Sequence, residues 1–141
     1  MKRTPTLPAL ILTLLVLVQS TFALAQTKYW TGGSGLWNDA AHWSNSPDGN
    51  GGAGVPNDRD DVVIDPARPI TIALQGQATC KGLSVNGENA AVQLTGAANA
   101  GISIAGTWQL KGAVQWNAEG NVELTVRREG VEVDLRGIPV R

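Results

Sequence analysis

From residue 61 onward the chain repeats short apolar-polar-apolar triplets, and this pattern restricts the possible folds more than any other feature. An alternation with a period of two places every second side chain on one face, which predicts short strands with one buried face. Glycines separate most of the triplets, and no helix of ordinary length fits after Ser44. The sequence therefore predicts an all-β chain. The triplets are Ile70-Thr71-Ile72, Leu83-Ser84-Val85, Val92-Gln93-Leu94, Ile102-Ser103-Ile104, Trp108-Gln109-Leu110, Val114-Gln115-Trp116 and Val131-Glu132-Val133, with related runs at 62–64 and 122–126.

Two all-β architectures accommodate these strands. In a right-handed β-solenoid the triplets stack coil upon coil around a narrow interior, and Gly or Asn forms the corners. In an antiparallel β-sandwich the same strands pair as hairpins. The triplets are short and are interrupted by glycine and by small residues such as Ala97, Ala98 and Ala100, which favours thin solenoid coils. We therefore expect a β-solenoid-like stack, with the antiparallel sandwich as the alternative.

The largest side chains are concentrated ahead of these strands, in residues 29–44. This segment holds Trp30, Trp37 and Trp43, three of the five tryptophans, together with the only tyrosine and the only histidine. A stack of strands exposes an apolar end, and bulky aromatic rings can cover it. We predict that the three tryptophans form an amino-terminal cap on the stack. If their rings were exposed instead, they would offer a stacking platform for sugars.

Local signals predict the structure that supports the tryptophans. Residues 26–30 are expected to form a short edge strand, and the glycines within 32–35 to allow a tight reversal. Asn38 and Asp39 precede a predicted single helical turn as its cap or Asx turn. Residues 45–57 contain too little apolar surface for an element of their own. We expect them to form a long surface loop, the favoured place for a specific interaction.

Residues 1–25 have the features of a secretory signal peptide. Lys2 and Arg3 form a basic start, residues 7–18 are apolar but short for a bilayer span, and Ala23-Leu24-Ala25 is a small-residue cleavage motif. We expect cleavage before Gln26, giving a mature chain that is secreted or held at the cell surface without membrane insertion. The expected division is 1–25 as signal peptide, 26–60 as cap and surface loop, and 61–141 as strand repeat within the same domain.

Charge and cysteine content restrict the function classes. Removing Lys2 and Arg3 from the eleven basic residues leaves nine against twelve acidic ones, a formal charge of −3. With no basic cluster, the chain lacks the electrostatic attraction on which nucleic-acid binding depends. Cys80 is the only cysteine, and we expect it to be buried in a strand as a small apolar side chain. An intermolecular bridge, or a partner in a longer version of the chain, are the alternatives.

Catalytic and metal-binding patterns are weak in this sequence. His42 is the only imidazole, and a nucleophilic triad would need a serine such as Ser34 and a carboxylate such as Asp39 beside it, in a motif that is missing. The acidic residues around Asp48 lack the spacing of a calcium loop, because no bidentate Glu follows at the required place. We therefore expect no catalytic residue, no metal and no cofactor, so that the protein is not an enzyme.

An ordered series of motifs across residues 28–110 resembles a known family. The chain resembles the amino-terminal region of large secreted surface proteins of the Bacteroidetes type and, more loosely, the tryptophan- and glycine-rich repeats of autotransporter-like adhesins. The resemblance implies a β-rich, β-helical module without catalytic residues. Such proteins usually continue much further, often to a secretion-sorting domain, whereas this sequence stops at Arg141. The motifs are Trp30-Thr31-Gly32-Gly33-Ser34-Gly35-Leu36-Trp37-Asn38-Asp39, Trp43-Ser44, Gly51-Gly52-Ala53-Gly54-Val55-Pro56, Asp60-Asp61-Val62-Val63-Ile64-Asp65 and Cys80-Lys81-Gly82-Leu83-Ser84-Val85.

Together these observations favour a non-enzymatic, exported surface module with a structural or adhesive role. Its expected partners are a cell-surface or extracellular polysaccharide, or further copies of itself. The alternative function is a carbohydrate-binding module of a secreted protein, in which Trp30, Trp37 and Trp43 contact the sugar.

Overall fold

The fold is all-β, which confirms the class predicted from the sequence. The computed structural model describes residues 24–97, 99–118 and 123–126. No helix in these ranges is long and apolar enough to cross a membrane. A single 3-10 turn covers Ala40–His42. The strands are β1 (Thr27–Trp30), β2 (Gly35–Leu36), β3 (Trp43–Ser44), β4 (Asp61–Ile64), β5 (Ile70–Leu74), β6 (Gln77–Cys80), β7 (Gly82–Gly96), β8 (Gly101–Ile104), β9 (Trp108–Ala118) and β10 (Glu123–Val126).

Strand pairing is parallel through most of the described chain. β7 lies between β9 on one side and, on the other, β4 along residues 82–85 and β5 along residues 92–96. Of the eight pairs between described strands, seven are parallel, and the exception is the two-residue contact of β1 with β3. Within these ranges, the antiparallel pairing required by the sandwich alternative is limited to that contact.

From β4 onward partner residues recur at a nearly constant spacing, whereas β1 pairs with β4 and β2 with β5 across longer stretches of chain. Ile70 pairs with Val92, and Val92 pairs in turn with Val114, so the two steps along the chain are equal. A second sheet is built in the same way. In it β8 lies between β6 and β10, and the sequence separation between paired residues is close to that in the first sheet. Two parallel neighbouring strands cannot be joined by a tight hairpin. A longer connection must return the chain to the end of the sheet at which both strands begin.

Apolar residues at equivalent positions lie beside one another across the sheets. Ile64, Val85 and Leu110 are neighbours across β4, β7 and β9, and none is more than 2% exposed. Ile72 and Leu94, which pair between β5 and β7, are fully buried. Burying one such side chain contributes about 1.5–3 kcal/mol. These rows of aligned residues form the core.

Adjacent triplets are joined into single strands more often than their spacing predicts. The triplets at 83–85 and 92–94 both lie in β7, and those at 108–110 and 114–116 both lie in β9. The intervening glycines interrupt the apolar pattern but not the strand. β6 combines small and polar residues and has no large apolar triplet, so only Cys80, which was predicted to lie buried in a strand, indicated it.

Gly87 and Gly112 let β7 and β9 approach where their register shifts. The two glycines lie opposite each other. A Cβ on Gly87 would lie 2.6 Å from the carbonyl oxygen of Ala113, and one on Gly112 would lie 2.5 Å from the amide nitrogen of Glu88. Gly112 also has a φ of +70°, which few other residues adopt. Only glycine fits at these two positions.

The prediction that the first strand is an edge strand was wrong. β1 lies between β4, which is parallel to it, and β3, which is antiparallel. The pairing of β1 with β4 begins with Thr27 opposite Asp61. These two residues are far apart in the sequence, so no local pattern could indicate the pairing. The predicted strand at 131–133 and residues 1–23 of the predicted signal peptide lie outside the described residues.

Candidate functional site

Trp30, Trp37 and Trp43 pack into one aromatic cluster. Trp30 in β1 lies opposite Trp43 in β3, and Trp37 directly follows β2. The ring of Trp43 packs edge to face against Trp30 at 5.1 Å and against Trp37 at 4.9 Å. The three side chains are 9%, 2% and 0% exposed in chain order. The structure therefore brings the three predicted residues together and leaves little ring surface open to solvent.

Two indole N–H groups join this aromatic cluster to the backbone around it. Nε1 of Trp43 donates to the carbonyl oxygen of Trp37 at 2.6 Å, and Nε1 of Trp30 donates to that of Gly33 at 3.1 Å. The buried Nε1 of Trp37 has no acceptor among the described residues. Trp30 therefore anchors the glycine-rich reversal, and Trp43 anchors the backbone that directly follows β2.

His42 extends the aromatic cluster. Its half-buried imidazole stacks on Trp30, with ring centroids 4.6 Å apart and planes inclined by 3°. Its Nδ1 lies 2.9 Å from the carbonyl oxygen of Thr31, and since a carbonyl only accepts, Nδ1 carries the proton. A Cβ on Gly35 would lie 2.1 Å from Nε2 of the ring. Glycine at position 35 therefore leaves the space in which His42 stacks.

The groups that a nucleophilic triad would use form structural hydrogen bonds. The hydroxyl of Ser34 accepts from the backbone N–H of Thr71 at 2.9 Å. The carboxylate of Asp39 accepts from the N–H of Ala41 at 2.9 Å and caps the 3-10 turn. The predicted capping role of Asp39 is confirmed. Neither side chain is bonded to His42.

Lys28 is a buried cation that the sequence analysis missed. It is 5% exposed, and its Nζ donates to Oδ1 of Asn45 at 2.8 Å, to the carbonyl oxygen of Ala53 at 2.5 Å and to Oε1 of Gln26 at 3.2 Å. Three acceptors use all three donors of an ammonium, which offsets the cost of burying it. A signal was present, because the alternation of β1 places Lys28 in phase with the buried Trp30.

Residues 45–57 form the predicted loop without a helix or strand, but they are tied to the aromatic cluster. The N–H of Ala53 donates to the carbonyl oxygen of Trp43 at 2.9 Å, and that of Gly52 donates to Ala40 at 2.8 Å. The ammonium of Lys28 bonds this loop at two further points. A specific interaction through the loop stays a prediction.

Asp60 is a second buried charged residue, 2% exposed. Its Oδ1 accepts from the backbone N–H of Gln26 and its Oδ2 from that of Asn57, both at 3.1 Å. Its neighbour Asp61 lies at the surface, 3.9 Å from the ammonium of Lys81. Among the described residues, no group of three or more His, Cys, Asp or Glu side chains is arranged to hold a metal ion.

Lys28 and Asp60 line the same surface hollow, which has a volume of about 340 Å³. Gln26 connects them, because its side-chain oxygen accepts from Lys28 while its backbone N–H donates to Asp60. Both charged groups are therefore bonded within the wall of the hollow. Leu24, which also lines it, is 77% exposed.

Cys80 is fully buried, which confirms the prediction. Burial, and secondarily the negative charge of Asp61, raises the pKa of the Cys80 thiol to about 12. The thiol is therefore protonated and unreactive near neutral pH. The two remaining tryptophans belong to the core region, since Trp108 is buried and Trp116 packs against the core.

The chain matches no protein-family model, and comparisons with curated proteins and with solved structures give no significant match.

Proposed function

We propose that this protein is an exported β-solenoid module with a structural or adhesive role at the cell surface. The observation that carries the architecture is the parallel pairing of residues at a near-constant spacing in both sheets, as at positions 70, 92 and 114. Stacked coils of near-constant length produce this spacing, because each coil pairs with the next one along the chain. The aligned buried residues of β4, β7 and β9 agree with such a stack.

In this proposal Trp30, Trp37 and Trp43 cap the first coil of the solenoid. The support is their position, because they flank or belong to the short strands β1 to β3, while the later strands continue the parallel ladders. A solenoid needs its first apolar coil covered, and three large rings bury the area that the small residues of this chain do not supply. The cap role also explains why the loop of residues 45–57 is tied to the same cluster.

Polar rows on the outer surface support a contact role. Thr71, Gln93 and Gln115 occupy neighbouring positions in β5, β7 and β9, and the Thr71 hydroxyl bonds the Gln93 side chain at 3.2 Å. Repeated polar side chains at one coil spacing form a regular surface, which suits an extended polymer or another copy of the chain. The resemblance to secreted surface proteins favours the same role.

A carbohydrate-binding module has less support. Sugar stacking requires an open aromatic face, whereas Trp37 and Trp43 are buried and Trp30 is stacked against His42. Binding through the outer polar rows would not need these rings. We therefore assign the three tryptophans to the cap and leave polysaccharide as one candidate partner of the outer surface.

The proposed location is tested by expressing the full chain with a carboxy-terminal tag in its host. We expect the tag in the medium or accessible to added protease on intact cells, on a chain whose mass has decreased by residues 1–25. A full-length tagged chain protected inside the cell would contradict export.

The proposed contact role is tested with immobilised mature chain, from Gln26 to Arg141. Solutions of cell-wall and extracellular polysaccharides and of the chain itself are passed over it. The double variant Gln93→Glu with Gln115→Glu, which adds negative charge to the outer polar row, is compared with the natural chain. We expect binding by one of these partners and weaker binding by the variant. Binding by none of them would contradict the adhesive role and leave only a structural one.

A further inference from the structure

The described fold begins at the residue before which signal-peptide cleavage is expected. Leu24 and Ala25 are exposed and form no hydrogen bond with the rest of the described chain. The carbonyl oxygen of Gln26, in contrast, accepts from the N–H of Asp61 at 2.9 Å, and Thr27 opens β1. The peptide bond between Ala25 and Gln26 is thus at the boundary between exposed chain and paired chain.

The nitrogen atom at this boundary lies against a buried carboxylate. The backbone nitrogen of Gln26 is 3.1 Å from Oδ1 of Asp60, and Asp60 is 2% exposed. The other carboxylate oxygen accepts from the N–H of Asn57. Both of these donors are neutral amides in the uncleaved chain. A buried carboxylate is much better stabilised by a cation in hydrogen-bond contact than by neutral donors alone.

We propose that signal-peptide cleavage supplies this cation, and that the new amino terminus of Gln26 forms an ion pair with Asp60. Hydrolysis by the host signal peptidase adds the hydroxyl of one water to the carbonyl carbon of Ala25 and its hydrogen to the nitrogen of Gln26. The amine then takes up a proton from solvent. The inference rests on the export in the proposed function, and it adds a maturation site to that function.

The same contacts protect the new amino terminus from cyclisation. A terminal glutamine forms pyroglutamate when its neutral amine attacks its own side-chain carbonyl carbon and ammonia leaves. Pairing with Asp60 favours the protonated amine, which cannot attack. In addition, Oε1 of Gln26 accepts from the buried ammonium of Lys28, which holds the side-chain amide in place. The mature chain is therefore expected to keep a free amino terminus.

The ion pair is tested with mature chains released in vitro from an amino-terminal fusion by a protease that leaves no extra residue. One chain begins at Gln26 and the other at Ala25. In the second chain the charged amino terminus lies one residue further from Asp60, and the nitrogen of Gln26 is still a neutral backbone N–H. We expect the chain that begins at Gln26 to melt about 5 °C higher near pH 7, a shift typical of one favourable interaction in a domain of this size. Equal melting temperatures would overturn the proposal.

The Asp60→Asn variant completes a double-mutant cycle with these two starting points. Any general destabilisation by the variant affects both chains and cancels in the comparison. We expect the difference between the two chains to disappear with Asp60→Asn. A difference that persists in this background would assign the effect to something other than Asp60 and overturn the proposal.

A second readout needs no variant that could fail to fold. The loss of ammonia from the chain that begins at Gln26 is followed by mass spectrometry, once in native buffer and once in urea at the same pH. We expect cyclisation in urea and several-fold slower cyclisation in the folded chain, whereas equal rates would overturn the proposal. Because these chains are made in vitro, their behaviour tests the ion pair separately from export.

Discussion

The indole Nε1 of Trp43 donates a hydrogen bond of 2.6 Å to the backbone carbonyl oxygen of Trp37, while Nε1 of Trp37 itself is buried without an acceptor among the described residues. The two rings pack edge to face at 4.9 Å. Their packing is shared, but their polar atoms make different contributions. Trp43 holds the backbone beside β2 in place, whereas Trp37 contributes its ring alone.

This difference predicts unequal costs for the two Trp-to-Phe substitutions. Trp43→Phe leaves the carbonyl oxygen of Trp37 without its buried donor, which costs about 1–3 kcal/mol beyond the lost ring area. Trp37→Phe removes a donor that is already unpaired. We expect Trp43→Phe to lower the free energy of unfolding more, as measured by urea denaturation. A larger loss for Trp37→Phe would contradict this account of the cluster.

Lys28→Met is expected to release the loop of residues 45–57. The substitution keeps an apolar side chain of similar length but removes the hydrogen bonds that the ammonium donates to Asn45 and Ala53, at a cost of about 1 kcal/mol each. Limited proteolysis followed by mass spectrometry should detect faster cleavage within the loop. Lys81→Met is the matched control, because Lys81 is 56% exposed and its ion pair with Asp61 is long. Equal protease sensitivity of both variants would contradict the role of Lys28.

Gly35→Ala is expected to displace His42 from Trp30. The added Cβ would lie 2.1 Å from Nε2 of the imidazole, so the ring must move and its stacking is lost. We expect a loss of about 1–3 kcal/mol by thermal or urea unfolding. Gly33→Ala is the control, since nothing lies within 4 Å of a Cβ there.

The double variant Gly35→Ala with His42→Ala separates this clash from a change in the backbone. If the clash is responsible, removing the imidazole should make the further effect of Gly35→Ala small. A full, additive loss in the double variant would show that Gly35 is required for another reason.

The strands of this fold were easier to predict than their arrangement. The all-β class and the cap at Asp39 follow from local patterns, because alternation and turn chemistry involve neighbouring residues. The position of β1 between two strands depends on Asp61 and Trp43, and the burial of Lys28 depends on acceptors as far along the chain as Ala53. Contacts over these separations leave little trace in a single sequence.

The two buried charged residues, Lys28 and Asp60, show the same limit of prediction from sequence. Lys28 is in phase with Trp30 along β1, so its inward direction was available from the sequence. Its acceptors were not, because they lie in a loop whose path is set by the aromatic cluster. Asp60 was one of several acidic residues in sequence, and only its contacts with Gln26 and Asn57 distinguish it from the exposed Asp61.

Cys80 predicts a loss of stability at alkaline pH. Its folded pKa of about 12 lies above the ordinary value of 9.0, so between these values the unfolded chain releases a proton that the folded chain retains. The stabilisation is fully present below pH 9 and is lost as the pH rises from 9 towards 12. Urea denaturation at pH 8 and pH 10 should show a larger decrease for the natural chain than for Cys80→Ala. An identical decrease would contradict the raised pKa.

The proposed solenoid, in which successive coils pair in parallel and in register, is tested most directly by a disulfide between β5 and β7. Thr71 and Gln93 lie opposite each other, with bonded side chains. Mild oxidation of Thr71→Cys with Gln93→Cys should therefore give an intramolecular disulfide, seen by mass spectrometry, while buried Cys80 stays reduced. The control pairs Thr71→Cys with Gln109→Cys, since Gln109 lies opposite Ser84 instead. Efficient cross-linking of the first pair alone is the predicted result. Cross-linking of the control pair, or of neither, would contradict the parallel stack.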